Sequence, residues 1–341
     1  MKGRLIALDH VQGREAAALM VDGRLDDILI ETDKPRPGTI YRATADRPLK
    51  GQGGMILNTP DGTAFLRHGK GIAPGDALLV QVTGYAEDGK AVPVTSKVLF
   101  KSRYAIVTPN APGRNISRSI RDDGIRDQLA EIAHESIGDR TYGLILRSSC
   151  ANADAEDIAE DITAMVDLAD QVMGSAAGAE PEVLLEGDGP HVVAWREWTA
   201  KATVETAQGS FEDHGVLDAL EELTQPKVSL GPSGSMYVEP TRAMVAVDVN
   251  TGNDTSMAAG LKTNLAVAKE LPRQLRTRGL GGQIVLDLAP MQKKERRTFE
   301  SALRGALRND PMETALVGWT LLGHFELQRK RERVALSEVL K

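Results

Sequence analysis

Two aspartates stand where chemistry could be done. Asp248 closes the apolar run AMVAVDVNTG and Asp287 closes QIVLDLAPM. If both runs are strands of one α/β layer, side chains at their carboxyl ends converge on a single crevice. Two converging carboxylates make a hard-oxygen site, which suits Mg²⁺ completed by water and substrate phosphate. Asn250 follows Asp248 by two residues, so on an extended strand it points to the same side and can reach the same ion or a bound water. A second reading stays open: strand-end aspartates also cap the helices that follow them.

Basic runs surround this pair: LPRQLRTRGLGG, QKKERRTFESALR and LQRKRER. Arginines beside a carboxylate-held cation are suited to bidentate capture of phosphate. Gly279, Gly281 and Gly282 allow close backbone approach, but no GxGxxG or P-loop pattern exists, so nucleotide binding has no fingerprint. No Gly-x-Ser-x-Gly occurs. The six histidines are scattered, which leaves His-based catalysis without a constellation.

The elements that must position these groups are legible in outline. LIALD, EAAALMV and RLDDILIE read as strands, with Asp22-Gly23 as a hairpin turn. DKPRPG at 33–38 marks a boundary. Residues 39–98 are short β-like pieces broken by Gly, Pro and Asp, including a Glu87-Asp88-Gly89-Lys90 turn, and suggest a small barrel. RYAIVTPNAPGRNISRSI is a strand and then a loop. Ile125, Leu129, Ile132 and Ser136 share a helix face that starts near Asp122 or Asp123. TYGLILR is a candidate buried strand, and Ile158, Ile162, Met165, Val166 and Val172 stripe an acidic helix over 154–173. EVLLEGDGPHVVAW suggests a hairpin around Gly-Asp-Gly. The last third alternates strand and helix, the form of an α/β layer. Its first helix runs to Arg278, with Pro272 expected to kink it or move its boundary.

The chain has 341 residues, with 41% hydrophobic and 26% charged residues. That is ordinary for a soluble protein of two or three packing units. No run of about 18 apolar residues exists, so no membrane partner is expected. The start lacks an apolar signal core, which points to the cytoplasm. One cysteine, Cys150, rules out an internal disulfide and a CxxC zinc site within the chain. The net charge of −7 argues against nucleic acid when taken alone. It is an average, however. From Gly260 onward the chain has 16 Lys+Arg against 9 Asp+Glu, leaving 25 basic and 39 acidic residues before it. A basic working surface on an acidic body is one reading. Solvated helix faces are the other.

The string AMVAVDVNTG, followed by TNLAVAKELPRQLRTRGLGGQIVLDLAPM and LLGHFELQRKRER, resembles the catalytic region of the ribonuclease E/G family. Upstream, Pro232-Ser233-Gly234-Ser235, TPNAPGRNISRSI, YGLILRSS and the opening MKGRLI…VDGRL resemble further family segments, so the likeness covers nearly the whole chain. It implies a mixed α/β and β fold of several subdomains. An RNase H-like part (1–37 and a compressed 181–225) is split by a shortened S1-like β-barrel (38–98) and a 5′-sensor region (99–180). A DNase I-like α/β catalytic subdomain (226–341) follows. The implied activity is a Mg²⁺-dependent endoribonuclease (Mn²⁺ as substitute) acting on single-stranded RNA in processing or decay. It would leave 5′-phosphate and 3′-hydroxyl ends. By position, Asp248 and Asp287 would ligate the ion, and Asn250 would hold the scissile phosphate or a water. Arg147 and Ser148, with Asn115 beside them, would sense an RNA 5′-phosphate. An ion pair with the acidic helix 154–173 is the competing role for Arg147. Phe65, Lys90, Arg276, Arg278, Arg329 and Arg331 would contact RNA.

Some positions depart from the family pattern. Met55 stands where a base-stacking Phe is usual, and Pro290 replaces an acid before Met291. The CPxCxG zinc-link has no counterpart before Lys341, so no zinc is expected and any homo-oligomer would assemble otherwise. A noncatalytic RNA-binding relative is the alternative. A phosphate-binding metabolic enzyme is a third class, without a cofactor fingerprint to support it.

Overall fold

The computed structural model describes all residues except 1, 2, 50, 52, 88, 255, 257 and 341. It divides into two compact units, one made of residues 33–200 and one of 1–32 with 201–341.

The chain opens with β1 (Arg4–Val11), β2 (Arg14–Val21) and β3 (Arg24–Ile30), an antiparallel meander. Asp22 and Gly23 both take positive φ, 50° and 79°, the backbone that a tight two-residue hairpin needs.

Residues 33–200 form the second unit. Strands β4 (Ile40–Leu49), β5 (Gly54–Thr59), β6 (Gly62–Leu66), β7 (Ala77–Val82) and β8 (Val92–Thr95) pair in the ring β4-β5-β6-β8-β7-β4. The small barrel expected from short strands and Gly-rich turns, S1-like according to the family resemblance, is therefore closed, around Tyr41, Met55, Leu57, Leu66, Val80 and Val94. Closure leaves no unpaired strand edge. In the expected turn at 87–90, the Lys90 N–H donates to the Glu87 carbonyl; Asp88 lies outside the described residues.

Next come β9 (Phe100–Lys101), β10 (Ala105–Thr108), β11 (Arg114–Ile116), α1 (Asp123–Ile137), β12 (Gly143–Leu146) and α2 (Ala155–Gly174). The Asp122 carboxylate accepts from the Ile125 N–H at 2.9 Å and so starts α1. One apolar core joins the sheet β11-β12-β10-β9 to Leu129, Ala133 and Ile137 of α1 and to Ile158, Ile162 and Val166 of α2. Then β13 (Glu182–Leu185) adds to β4, and α3 (Pro190–Glu197) follows. The hairpin expected at EVLLEGDGPHVVAW is half wrong. Its second arm is helical, because Pro190 at the first helical turn brings a helix-ready φ and loses only an N–H that has no partner there.

The chain then returns to the first unit. β14 (Thr203–Glu205) pairs in parallel with β1. Helices α4 (Ser210–Asp213) and α5 (Val216–Thr224) cover that sheet through Phe211, Val216, Leu220 and Leu223. Asp9, 8% exposed, accepts from the N–H groups of Gly209 and Phe211. The last sheet has the order β15 (Lys227–Ser229), β16 (Ser235–Pro240), β17 (Val245–Asn250), β18 (Gly282–Asp287), β20 (Phe325–Arg329), β19 (Thr314–Trp319). Between β17 and β18 runs α6 (Ala259–Thr277), and between β18 and β19 runs α7 (Arg296–Arg308). α8 (Leu336–Val339) closes the described chain. Pro272 does not shift the boundary of α6, which continues to Thr277 with the proline ring buried. Its neighbours Leu271 and Leu275 are anchored in the core, and that packing offsets the lost hydrogen bond.

Candidate active site

β17 and β18 are parallel neighbours, and Asp248 is the register partner of Asp287. The local pattern explains why both face outward. In β17, Val245, Val247 and Val249 are buried while Asp248 and Asn250 are exposed; in β18, Ile284 and Leu286 are buried and Asp287 is exposed. A strand alternates its faces, so the valines and isoleucine that build the core force the polar set onto the other side. Asn250 Nδ2 donates to Asp248 Oδ2 at 2.7 Å, which fixes the orientation of that carboxylate.

The capping alternative does not hold. α6 has Ala258 at its cap with no side-chain bond, and the turn that leads into α7 is capped by Gln292. Neither Asp248 nor Asp287 starts a helix.

Two adjacent residues of α6 tie down the loops on either side of the carboxylates. Thr263 Oγ1 donates to the Ser233 carbonyl at 2.6 Å, in the Pro-Ser-Gly-Ser turn before β16. Asn264 donates to the Ala289 carbonyl at 2.9 Å and accepts from the Ala289 N–H at 3.1 Å, two residues after Asp287. Both side chains are buried, at 1% and 0% exposure. Gly234 has φ +114°, and a Cβ there would sit 2.1 Å from the Asn250 carbonyl oxygen. A Cβ on Gly260 would sit 1.9 Å from that of Pro290. These glycines let the turn and the helix start lie against the strand ends. Thr263 and Asn264 are functional candidates that residue-by-residue reading missed. The available signal was a Thr-Asn pair on the apolar face of a helix.

His324 is another residue the sequence left unassigned. Antiparallel pairing of β18 with β20 matches Leu286 to Phe325. His324 therefore lies beside Asp287, with Nε2 3.7 Å from Oδ1. A partner so far along the chain is invisible without the sheet order.

The donor set fits Mg²⁺. Among the described residues no group of three or more His, Cys, Asp or Glu side chains that could hold a metal ion is present, so the candidate donors are the two carboxylates and the amide alone. An outward-facing pair of carboxylates with a neighbouring amide is what an ion that keeps water and phosphate oxygens in its shell requires.

Three of the four arginines expected to contact RNA turn inward. Arg276, 8% exposed, pairs with Asp26 at 3.1 Å and with the fully buried Asp310. Arg329, 1% exposed, pairs with Asp310 at 2.8 Å and donates to Thr314 Oγ1 at 2.8 Å. Arg278 is buried and donates to the Leu223 carbonyl and to Gln274; burial pushes its guanidinium down to about 10. Arg331 is half-buried and lies over Gly282. Arg276, Arg278 and Arg329 thus serve the interior, where each has an oxygen partner in reach.

In the other unit, Asn115 on β11 is in register with Ile145 of β12, and Arg147 and Ser148 follow that strand. Asn115 and Ser148 are exposed. The Arg147 guanidinium donates to the carbonyls of Ser102 at 2.6 Å and Arg196 at 3.1 Å and to Glu197 at 2.6 Å. Its acidic partner is therefore Glu197 of α3, not a residue of the helix 154–173. Burial works to raise the Glu197 carboxyl, but Lys101, Arg147 and Arg196 outweigh it and hold the group at about 2. On the barrel, Phe65 is half-buried against Gly54, and Lys90 is exposed beside Glu87. Met55 is 2% exposed in the barrel core, so its side chain has no face for a base.

The comparisons agree with the motif order. The model of the ribonuclease E/G family matches residues 100–207 and 195–332. Ribonuclease G of Salmonella typhimurium (strain SL1344) is 26% identical over 402 residues, covering 98% of this chain and 81% of that protein. Ribonuclease G of Escherichia coli (strain K12) is 26% identical over 405 residues with the same coverage. Ribonuclease E of Nostoc sp. (strain PCC 7120) is 25% identical over 392 residues, covering 98% of this chain and 56% of that protein. A family model that spans most of the chain, with relatives aligned along nearly all of it, means that this chain belongs to the ribonuclease E/G family.

Proposed function

We propose that this chain is an endoribonuclease that cleaves single-stranded RNA, in RNA processing or decay, leaving 5′-phosphate and 3′-hydroxyl ends. The observation that carries the reading is the register pair Asp248–Asp287, with Asn250 bonded to Asp248, on the outward face of two parallel strand ends. Asp248 and Asp287 would hold one Mg²⁺, which supplies Lewis-acid polarisation of the scissile phosphate when bound. Asn250 holds Asp248 in one orientation, and its amide remains near enough to donate to a phosphate oxygen. Thr263 and Asn264 keep both strand ends from drifting, and geometry held this closely is worth orders of magnitude in rate.

In this reading the sheet β15–β20 with α6 and α7 is the DNase I-like catalytic part. The β1–β3 and β14 sheet is RNase H-like, and residues 33–200 carry the barrel and the 5′-end sensor. Phe65 and Lys90 offer the barrel a base-stacking face and a phosphate contact. Asn115 and Ser148 offer donors for a terminal phosphate. Arg147 joins them when the phosphate displaces Glu197 from its guanidinium.

The test is to incubate 5′-monophosphorylated, AU-rich single-stranded RNA with Mg²⁺ and either the natural chain or Asp248→Asn. Cleavage by the natural chain alone supports the proposal. Salt-sensitive binding without cleavage by either would replace it with a noncatalytic RNA-binding role. Unchanged RNA binding in Phe65→Ala would remove the barrel from the account.

A further inference from the structure

One strongly charged surface is left unused by the fold and by the site. Helix α7 buries Phe299, Leu303 and Leu307. Its opposite side shows Arg297, Ser301, Arg304 and Arg308, all exposed, at spacings of four, three and four residues, with exposed Lys293 and Lys294 just before it. Those intervals line the side chains along one face of a helix.

The two carboxylates in this stretch are engaged elsewhere. Glu295 accepts from the Gln292 N–H at 2.9 Å, and Glu300 accepts from Trp319 Nε1 at 2.7 Å. Among the described residues, none of Lys293, Lys294, Arg297, Arg304 and Arg308 has an ion-pair or hydrogen-bond partner for its side chain. The contrast with Arg276, Arg278 and Arg329, each matched internally, is sharp. Five like charges along about 22 Å of helix repel one another and contribute nothing to folding.

The stripe also starts in the right place. Lys293 follows Asp287, the last residue of β18, by six positions, so the stripe begins one short loop after the strand end that holds the carboxylate. A membrane surface is disfavoured as the occupant, because the apolar face of α7 is already buried in the core and none remains to enter a bilayer.

We propose that this face of α7 is a phosphate track for the RNA strand on one side of the cleavage point, with Arg297, Arg304 and Arg308 each meeting the backbone. This rests on the RNA-cleaving reading above and supplies the RNA contacts that the inward-turned arginines do not.

The experiment measures binding of a long unstructured oligouridylate in the presence of chelator, as a function of salt. The proteins are the natural chain, the triple variant Arg297→Gln/Arg304→Gln/Arg308→Gln, and the single variant Ser301→Glu. Three lost contacts at about 0.7 each should lower the slope of log Kd against log salt by about 2. Ser301→Glu puts an anion in the middle of the stripe and should weaken binding in the same direction. Cleavage of a trinucleotide, too short to reach down the helix, should persist with Mg²⁺ in both. Slopes and affinities equal to those of the natural chain in both variants would overturn the track. So would loss of binding to phosphatidylserine vesicles with the RNA slope unmoved, which would assign the stripe to a lipid surface. If the slope drops as expected but the natural chain never cleaves RNA, the cleavage reading fails while the track stands.

Discussion

Asn264 grips the main chain of Ala289 with both ends of its amide, as donor to the carbonyl and as acceptor from the N–H, inside a fully buried pocket two residues past Asp287. One side chain therefore sets where the β18 end points.

Replacing Asn264 with Ala leaves two buried main-chain groups unpaired, a loss of about 3 kcal/mol. Urea unfolding should show that loss, and RNA cleavage should fall although Asn264 does not touch the carboxylates. Asn264→Asp should do no better, because its second oxygen would face the Ala289 carbonyl. A cleavage rate unchanged in Asn264→Ala would sink the positioning role.

Mg²⁺ should stabilise the chain. At a free concentration one hundredfold above its Kd, a ligand that binds only the folded state adds about 2.7 kcal/mol. The rise in Tm should vanish in Asp287→Asn and in Asp248→Asn. A rise of the same size in both variants would place the ion elsewhere.

The Glu197 carboxyl is held at about 2 in the fold against 4.5 in a model peptide. A depressed carboxyl contributes stability above its unfolded value and loses it as pH falls through the folded one. Unfolding free energy should therefore decline between about pH 4.5 and pH 2, by about 2 kcal/mol after allowance for its partial exposure. In Glu197→Gln that segment of the pH profile should flatten. The same variant frees Arg147, so preference for 5′-monophosphate over 5′-hydroxyl RNA should widen. Equal cleavage of the two RNAs by the natural chain would remove the sensor.

Asp310 accepts from two buried arginines, Arg276 and Arg329, and is itself fully buried. Asp310→Ala leaves the buried Arg329 without a carboxylate, while Arg276 keeps Asp26, and should cost about 3 kcal/mol in denaturant unfolding. Asp310→Asn keeps an oxygen for one arginine and should cost less. A variant Asp310→Ala as stable as the natural chain would contradict the network.

Much of the fold was readable because local patterning repeats along the chain. Alternating valine and polar residues in VAVDVN, Asp22-Gly23 between apolar runs, and the stripe Ile158–Ile162–Val166 each follow from a period of two or 3.6 residues. Where two signals competed, sequence misled. Pro190 begins a helix in a segment that resembled a hairpin.

By itself the sequence determined the strand ends, the pair of outward carboxylates with Asn250, and the split of charge between an acidic body and a basic last third. Those features depend on neighbours within a few positions. Only the tertiary structure decided which charges work at the surface. Arg276 and Arg329 meet Asp310 through folds of the chain 34 and 19 residues long, while Arg297, Arg304 and Arg308 meet no carboxylate among the described residues. An arginine in a sequence is simply a cation. Whether it is buried beside an acid or left to hold a phosphate depends on long-range packing, and so did the meeting of His324 with Asp287.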